Sequence, residues 1–122
     1  MKLSIVIPTF NAHEWIQGCL DSIRLHHPAS AYEIIVVDDR STDDTVAIAA
    51  SQYPDVRLFA NEANVGFGKT VNVGLKAALG DYILVLNNDT WMHVGALAAM
   101  TAFLDAHLGR RARAVTLWFN QP

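Results

Sequence analysis

Two polar segments that follow apolar runs carry the side chains best suited to chemistry. Asp38 and Asp39 follow the run Glu33–Val37, and Asn87-Asn88-Asp89 follows Tyr82–Leu86. Adjacent carboxylates stay ionised at low cost only beside hydrogen-bond donors or a cation. A carboxylate after a strand is also a ligand that Mg²⁺ or Mn²⁺ accepts, with phosphate and water completing the shell. Taken alone, each segment is consistent with helix capping or a turn. Taken together, the two segments favour a site in which a divalent cation screens the diphosphate of a bound nucleotide.

A glycine-bearing segment, Gly66-Phe67-Gly68-Lys69-Thr70, has the composition of a phosphate-binding loop. A P-loop requires glycine where this chain has Ala63, and a dinucleotide fingerprint requires glycine or alanine where it has Val71. The segment is better explained as the glycine-rich start of a helix. A P-loop or dinucleotide-binding protein stays open as an unrelated alternative.

The other reactive residue types form no recognisable site. The single cysteine, Cys19, excludes an internal disulfide, and its place on an apolar helix face predicts an inert buried thiol. The five histidines lack the spacing of zinc ligands and receive no catalytic role. Trp15 and the pair Trp91-Met92 are predicted to be core or packing residues.

Alternating strand and helix signals must position these residues. Short runs of Ile, Val and Leu predict strands over Leu3–Ile7, Glu33–Val37, Val56–Phe59 and Tyr82–Leu86. Helices are predicted from Asn11, from Ser41 or Thr42 to about Ala50, from Gly68 to about Leu79, and over Gly95–His107. This alternation predicts an α/β fold with a mostly parallel sheet and helices on both faces. Ligands of such sheets bind beyond the carboxyl ends of the strands, where the polar segments lie.

The predicted helix starts depend on local capping patterns. Asn11 and Glu14 have the spacing of a capping box, so Asn11 is expected to cap the first helix. Ser41 or Thr42 is expected to cap the second helix, with Asp43-Asp44 in its first turn.

Length, composition and charge restrict the class of protein. The chain has 122 residues, 52% of them hydrophobic and 17% charged, which predicts one globular domain rather than a disordered segment. A net charge of −3 argues against a nucleic-acid partner. No signal peptide or membrane-spanning run is evident, so we expect a soluble, cytoplasmic protein. The basic stretch Gly109–Arg113 and the potential strand Ala114–Phe119 depart from the preceding pattern, so we expect a domain over residues 1–108 and an atypical tail over 109–122.

The ordered set of motifs resembles one known family. The motifs are Ser4–Asn11, Val36–Thr45, Asn64–Gly68, Asn72–Gly74 and Gly80–Thr90. They resemble family 2 inverting glycosyltransferases of the GT-A fold, a Rossmann-like nucleotide-binding architecture, and within that family a rhamnosyltransferase-like branch. The resemblance extends in the correct order over residues 2–108.

The resemblance implies a role for each matched residue. Its nucleotide-binding set is Pro8, Thr9, Phe10, Asp38, Asp39, Gly66 and Asn88. Asp39 would accept a hydrogen bond from the imide N–H of uracil or thymine, with Asp38 as the lesser partner, and Asn88 would face the ribose. Asp89 would hold Mg²⁺ or Mn²⁺. The first acid of the family's Asp-x-Asp-type motif is replaced by Asn87, which leaves a single carboxylate for the cation.

The resemblance also implies an activity, which is transfer of a sugar from a UDP- or dTDP-sugar to an acceptor hydroxyl with inversion. The acceptor would be a glycan or a lipid-linked glycan in cell-surface polysaccharide synthesis. The resemblance allows peripheral membrane association of the full-length enzyme and a homo-oligomer. The general base is expected beyond Pro122, so the catalytic residue is unknown. The alternative is a truncated, non-catalytic nucleotide-binding remnant that lacks the acceptor half.

Overall fold

The predicted parallel sheet is present and contains five strands. The computed structural model describes residues 2–107 and 114–116. The strands are β1 (Lys2–Thr9), β2 (Ala31–Asp38), β3 (Arg57–Ala60), β4 (Tyr82–Val85) and β5 (Ala114–Thr116). They are parallel and lie in the order β3-β2-β1-β4-β5, so the chain reverses its direction of travel between β1 and β4. This reversal is the point where open α/β sheets bind ligands.

Four helices alternate with the strands in the described part of the chain. They are α1 (Ile16–Leu25), α2 (Thr45–Gln52), α3 (Phe67–Ala77) and α4 (Ala96–His107). None of these described helices is long and apolar enough to cross a bilayer. The fold class predicted from the alternation of apolar runs is therefore confirmed.

Helices cover both faces of the sheet, as predicted. Residues of α1, α2 and α4 pack on one face together with Ile5 and Ile7 of β1. Helix α3 packs on the other face, where Val6 lies between Ile35 and Val85 of the neighbouring strands. Because successive residues of β1 are buried on opposite faces, the strand is a continuous apolar run rather than an alternating one.

Helix α3 lies unusually close to the sheet at Gly74. A Cβ atom on Gly74 would lie 2.3 Å from Cγ1 of Val6 and 3.3 Å from Cγ2 of Val37. Only a residue without a side chain permits this approach. The contact fixes the distance between α3 and the two central strands.

The first two predicted helix starts are wrong by several residues. Helix α1 begins at Ile16, and Asn11 does not cap it, because Asn11 lies five residues upstream with φ 49°. Helix α2 begins at Thr45, so neither Ser41 nor Thr42 caps it. The polar side chains that suggested local caps have partners in another loop, as described below.

The two exposed tryptophans are not the core residues that their size suggests. Trp15 is 46% exposed, and Trp91 is 56% exposed although one edge of its indole packs against Gly18. The prediction of burial holds for Met92 and for Cys19. Apolar character alone therefore does not predict burial at Trp15 and Trp91.

The predicted tail contributes one strand. Within the expected strand Ala114–Phe119, residues Ala114–Thr116 pair in parallel with β4 and extend the sheet. The basic stretch Gly109–Arg113 and residues 117–119 lie outside the described residues. The domain boundary at residue 108 stays a prediction.

Two glycine substitutions in α3 test the close helix–sheet contact. Gly74→Ala should lower the free energy of unfolding by about 1–3 kcal/mol, because the new methyl group overlaps Val6. Gly68→Ala is the matched control: no heavy atom lies within 4 Å of a Cβ at Gly68, so it should stabilise by up to about 1 kcal/mol. Urea unfolding measures both values. Equal effects of the two substitutions would show that α3 does not approach the sheet in this way.

Candidate functional site

A cleft of about 330 Å³ lies at the carboxyl ends of the central strands. Its lining consists of Pro8, Thr9, Phe10, Asp39, Asn64, Phe67, Thr70, Asn87 and Asn88. These residues come from the ends of β1, β2 and β4, from the loop before α3 and from the first turn of α3. Four segments that are far apart in sequence therefore meet in one place, at the reversal of strand order.

The carboxylate of Asp39 lies at the centre of a hydrogen-bond network. Its Oδ1 accepts from the backbone N–H of Val65 at 2.7 Å and from Nδ2 of Asn61 at 3.1 Å. Its Oδ2 accepts from the backbone N–H of Gly66 at 2.9 Å. Nδ2 of Asn64 donates to the backbone oxygen of Asp39 at 3.0 Å. The side chain and main chain of Asp39 together hold the segment 61–66 against the end of β2.

These donors keep Asp39 ionised although it is only 6% exposed. Burial raises the pKa of Asp39, but the hydrogen bonds from Val65, Asn61 and Gly66 favour the charged form and lower its pKa below the usual value. The cleft therefore contains a fixed negative charge that can accept a hydrogen bond from a ligand.

Asp38 has a different environment from Asp39. It is fully buried, and its oxygens accept from the hydroxyl of Thr9 at 2.7 Å and from the backbone N–H and hydroxyl of Ser41. Asp38 does not line the cleft. Its observed contacts connect the end of β1 to the loop after β2, which is a structural role.

The loops after β1 and β2 cap each other. The Oδ1 atom of Asn11 accepts from the backbone N–H of Thr42 at 2.8 Å and of Asp43 at 3.3 Å. In return, the backbone N–H of Asn11 donates to the hydroxyl of Ser41 at 2.8 Å, and that of His13 to Asp43 at 3.3 Å. We call these reciprocal bonds between residues 11–13 and 41–45 the loop clasp. It fixes Phe10 on one side of the cleft relative to Asp39 on the other.

Asp43 adds a negative charge to the loop clasp. Burial raises the pKa of Asp43, but hydrogen bonds from Thr45 and His13 outweigh it and lower the pKa overall. The His13 ring also lies 3.0 Å from the carboxylate of Asp44.

The Asn87–Asp89 segment places Asn88 in the cleft and Asp89 next to it. Nδ2 of Asn88 donates to the backbone oxygen of Pro8 at 3.2 Å. Asp89 is not among the lining residues.

Burial, and secondarily the charge of Asp89, raise the pKa of Cys19 to about 12, so the thiol stays protonated as predicted.

Asp89 fits one part of a cation site. Its Oδ1 atom is buried and has no hydrogen-bond partner among the described residues, as expected of an oxygen that awaits a ligand. Within residues 2–107 and 114–116, no group of three or more His, Cys, Asp or Glu side chains could hold a metal ion. A cation at Asp89 would therefore need further ligands from a bound nucleotide, which suits Mg²⁺ or Mn²⁺.

The glycine-rich segment is the start of a helix, as the sequence favoured. Gly66 has φ 93° and precedes α3, and its N–H is taken by the Asp39 carboxylate. An N–H that is bonded in this way cannot also bind a phosphate, which argues against the P-loop alternative. Gly66 does not line the cleft, whereas its neighbour Phe67 does.

Four residues of the site were not assigned from the sequence. Asn64, Phe67 and Thr70 line the cleft, and Asn61 bonds the Asp39 carboxylate. Asn64 and Phe67 belong to the segment 64–69, which the order of strands and helices predicts at the same edge of the sheet as Asp38 and Asp39, but its local pattern does not identify which of its side chains line the cleft. Their position depends on the hydrogen bonds to Asp39.

Sequence comparison identifies the family. The pattern of the family described as Glycosyl transferase family 2 matches residues 4–109. The chain belongs to this family. The resemblance found in the motifs is thereby confirmed at the level of the family, and the alternatives of a P-loop or dinucleotide-binding protein are excluded. The narrower rhamnosyltransferase-like branch stays a prediction.

Curated relatives of the chain include two bacterial enzymes that are named poly(ribitol-phosphate) glycosyltransferases. The chain is 33% identical over 111 residues to poly(ribitol-phosphate) beta-N-acetylglucosaminyltransferase TarS of Staphylococcus aureus (strain Mu50), covering 88% of this chain and 19% of TarS. It is 39% identical over 102 residues to poly(ribitol-phosphate) beta-glucosyltransferase of Bacillus spizizenii, covering 80% of this chain and 16% of that protein. The chain thus spans less than a fifth of either relative.

Solved structures of family 2 relatives share the fold. S. aureus TarS 1-349 in complex with UDP superposes with a TM-score of 0.79 at 33% identity, over 88% of this chain and 33% of that one. The mannosyltransferase PcManGT from Pyrobaculum calidifontis, in complex with GDP-Man and Mn²⁺, superposes with a TM-score of 0.71 at 28% identity. This match covers 84% of this chain and 32% of that one. The GT-A-like architecture expected from the motifs is confirmed.

Substitutions of Asn11 test the loop clasp. Asn11→Gly removes the acceptor but keeps the positive φ, so it should lower the free energy of unfolding by about 1 kcal/mol. Asn11→Ala should cost about 1 kcal/mol more, because alanine disfavours the left-handed region. Thermal and urea unfolding measure the difference, with the exposed Asn72→Ala in α3 as control. Equal losses of unfolding free energy in Asn11→Gly and Asn11→Ala would contradict the positive φ angle of Asn11.

The lowered pKa of Asp39 predicts a pH-dependent stability. Because the pKa is lower in the folded than in the unfolded chain, ionised Asp39 stabilises the fold above about pH 3.9. This contribution is lost as the pH falls through the folded-state pKa. The difference in unfolding free energy between the wild type and Asp39→Asn should therefore be large at pH 7 and shrink below about pH 4.

The control for this pH series is Asp81→Asn, an exposed change at the opposite edge of the sheet, just before β4. Its effect on unfolding should be small at every pH. A difference between wild type and Asp39→Asn that stays constant from pH 7 to pH 3 would show that the Asp39 charge does not stabilise the fold.

Proposed function

We propose that the cleft binds the nucleotide of a UDP- or dTDP-sugar, and that the protein transfers the sugar to an acceptor hydroxyl with inversion. The observation that carries this proposal is the ionised carboxylate of Asp39 on the cleft wall. A carboxylate accepts hydrogen bonds only, and the imide N–H of uracil or thymine supplies a matching donor.

The remaining lining residues suit a base and its ribose. Phe10 and Phe67 are each about half exposed at the cleft and offer aromatic surface to a planar base. Asn88 follows β4 on the same cleft and is assigned to the ribose. Within this proposal, residues 1–108 form the nucleotide-binding domain, Pro8 and Thr9 flank the base, and Gly66 acts through its bond to Asp39.

A divalent cation, Mg²⁺ or Mn²⁺, is assigned to Asp89, whose buried Oδ1 lacks a partner among the described residues. When bound, such a cation supplies positive charge to the diphosphate. The complex of the related PcManGT with GDP-Man and Mn²⁺ supports this assignment. The complexes of TarS with UDP and UDP-GlcNAc support the choice of a uridine nucleotide.

In the proposed reaction the acceptor oxygen attacks the anomeric carbon of the sugar as its bond to the diphosphate oxygen breaks. The hydroxyl proton passes to a general base, which no described residue is assigned to supply. The names of the TarS and B. spizizenii relatives specify poly(ribitol-phosphate), a polymer with free hydroxyl groups, and so support a polymer hydroxyl as the acceptor. A glycan or lipid-linked glycan of the cell surface is the acceptor that we propose. The alternative is a nucleotide-binding module without transfer activity.

Two aspartate substitutions test the site through nucleotide affinity. Asp39→Ala should weaken UDP binding about 10- to 150-fold with or without Mn²⁺, because it removes a charge-assisted hydrogen bond of roughly 1.5–3 kcal/mol. Asp89→Ala should abolish mainly the gain in affinity that Mn²⁺ provides. Isothermal titration of the 122-residue chain with UDP, with and without Mn²⁺, measures both effects.

Asp81→Ala serves as the control for the loss of one negative charge, since Asp81 is exposed at the opposite edge of the sheet. Equal losses in Asp39→Ala and Asp89→Ala, each independent of Mn²⁺, would count against these assignments. Binding of ATP or NAD in preference to UDP would reject the proposed donor. Incubation with donor sugars and acceptors then distinguishes a transferase from a binding module.

A further inference from the structure

The Asp39 carboxylate has few acceptor positions left for a ligand. An ionised carboxylate offers about four lone-pair positions. Val65 and Asn61 occupy the two positions of Oδ1, and Gly66 occupies one of Oδ2. Counted over the described residues, one acceptor position, on Oδ2, remains for a base in the cleft.

Two further hydrogen bonds hold Asn61 in place, and a third fixes its partner Thr70. Its backbone N–H donates to the backbone oxygen of Asp38 at 2.8 Å, and its Nδ2 also donates to the hydroxyl oxygen of Thr70 at 3.1 Å. The Thr70 hydroxyl in turn donates to the backbone oxygen of Gly66 at 2.7 Å. Rotating the Asn61 amide away from Asp39 would therefore break two bonds at once, so a ligand cannot easily displace it.

The number of free acceptor positions on the Asp39 carboxylate determines which nucleobases it can bind without leaving a donor unpaired. Uracil and thymine present one imide N–H between two carbonyl groups. Guanine presents two adjacent donors, N1–H and the 2-amino group, of which only one could be accepted at Asp39. The other would be removed from water without a partner, which is unfavourable. Cytosine and adenine present an acceptor nitrogen at the equivalent position, which a carboxylate repels.

We infer that Asn61 is a specificity-determining residue, which selects uracil or thymine over guanine by occupying an acceptor position of Asp39. This inference rests on the proposed function, because it requires the base to lie against Asp39. Asn61 itself is assigned no contact with the nucleotide. Its effect on specificity passes through the carboxylate that it holds.

Inosine diphosphate provides a test in the wild-type chain. Hypoxanthine has the N1–H of guanine but lacks the 2-amino group, so it presents a single donor. Titration with UDP, IDP and GDP should give the tightest binding for UDP, and IDP should bind about 5- to 10-fold more tightly than GDP. Tighter binding of GDP than of IDP would overturn the inference, because it would mean that the 2-amino group finds an acceptor.

Asn61→Leu tests the residue directly, since leucine has a similar size but no donor. It should reduce the preference for UDP over GDP by about fivefold or more, because a position on Oδ1 becomes free. Asn64→Leu is the matched control: its amide, in the same segment, donates to the Asp39 backbone oxygen rather than to the carboxylate. It should weaken the binding of UDP and of GDP to a similar extent and leave the ratio of their dissociation constants unchanged.

The outcomes separate this inference from the proposed function. If the wild-type chain binds no UDP, the proposed function fails and the inference fails with it. If UDP binds, but Asn61→Leu weakens the binding of UDP and of GDP equally, Asn61 is a purely structural residue and only the inference is wrong. If Asn61→Leu does not fold, the comparison of IDP with GDP in the wild type still decides the question.

Discussion

The buried charge of Asp39 is the interaction on which the arrangement of the cleft depends. Removing a carboxylate from water costs several kcal/mol unless donors replace the lost hydration. Here the donors are two backbone N–H groups, of Val65 and Gly66, and the amide of Asn61. Because these groups must converge on one carboxylate, the segment before α3 is held at the end of β2. The same bonds determine which oxygen of the carboxylate stays available to a ligand.

The loop clasp meets a similar requirement on the other side of the cleft. The loops after β1 and β2 each leave backbone N–H groups without partners in their own element, and each supplies acceptors for the other. Asn11 and Arg40 adopt positive φ angles in these loops, at 49° and 61°. Asparagine tolerates this region better than most residues. Together with Asp38, the clasp joins the two strand ends that carry Phe10 and Asp39 into one rigid wall.

The sequence was sufficient to predict the sheet and the edge at which the candidate site lies. Short β-branched runs such as Ile34–Val37, with polar turn residues after them, are typical of strands buried on both faces, and parallel strands bring their carboxyl ends together. The helix caps were mispredicted because a local pattern cannot reveal a distant partner. Asn11 has the spacing of a capping box, yet its side chain bonds Thr42, 31 positions away. Asn61 and Thr70 could not be assigned to the site for the same reason, since their importance arises from the contacts that connect Asp39, Asn61, Thr70 and Gly66.

The most direct test is a crystal structure of the chain with UDP and Mn²⁺ bound. The account predicts that N3 of uracil lies within hydrogen-bond distance of Oδ2 of Asp39, while the bonds from Val65, Gly66 and Asn61 persist. It also predicts that the cation contacts Asp89 and the diphosphate. A uracil ring bound elsewhere, or one that displaces the Val65 and Gly66 N–H groups from the carboxylate, would contradict it.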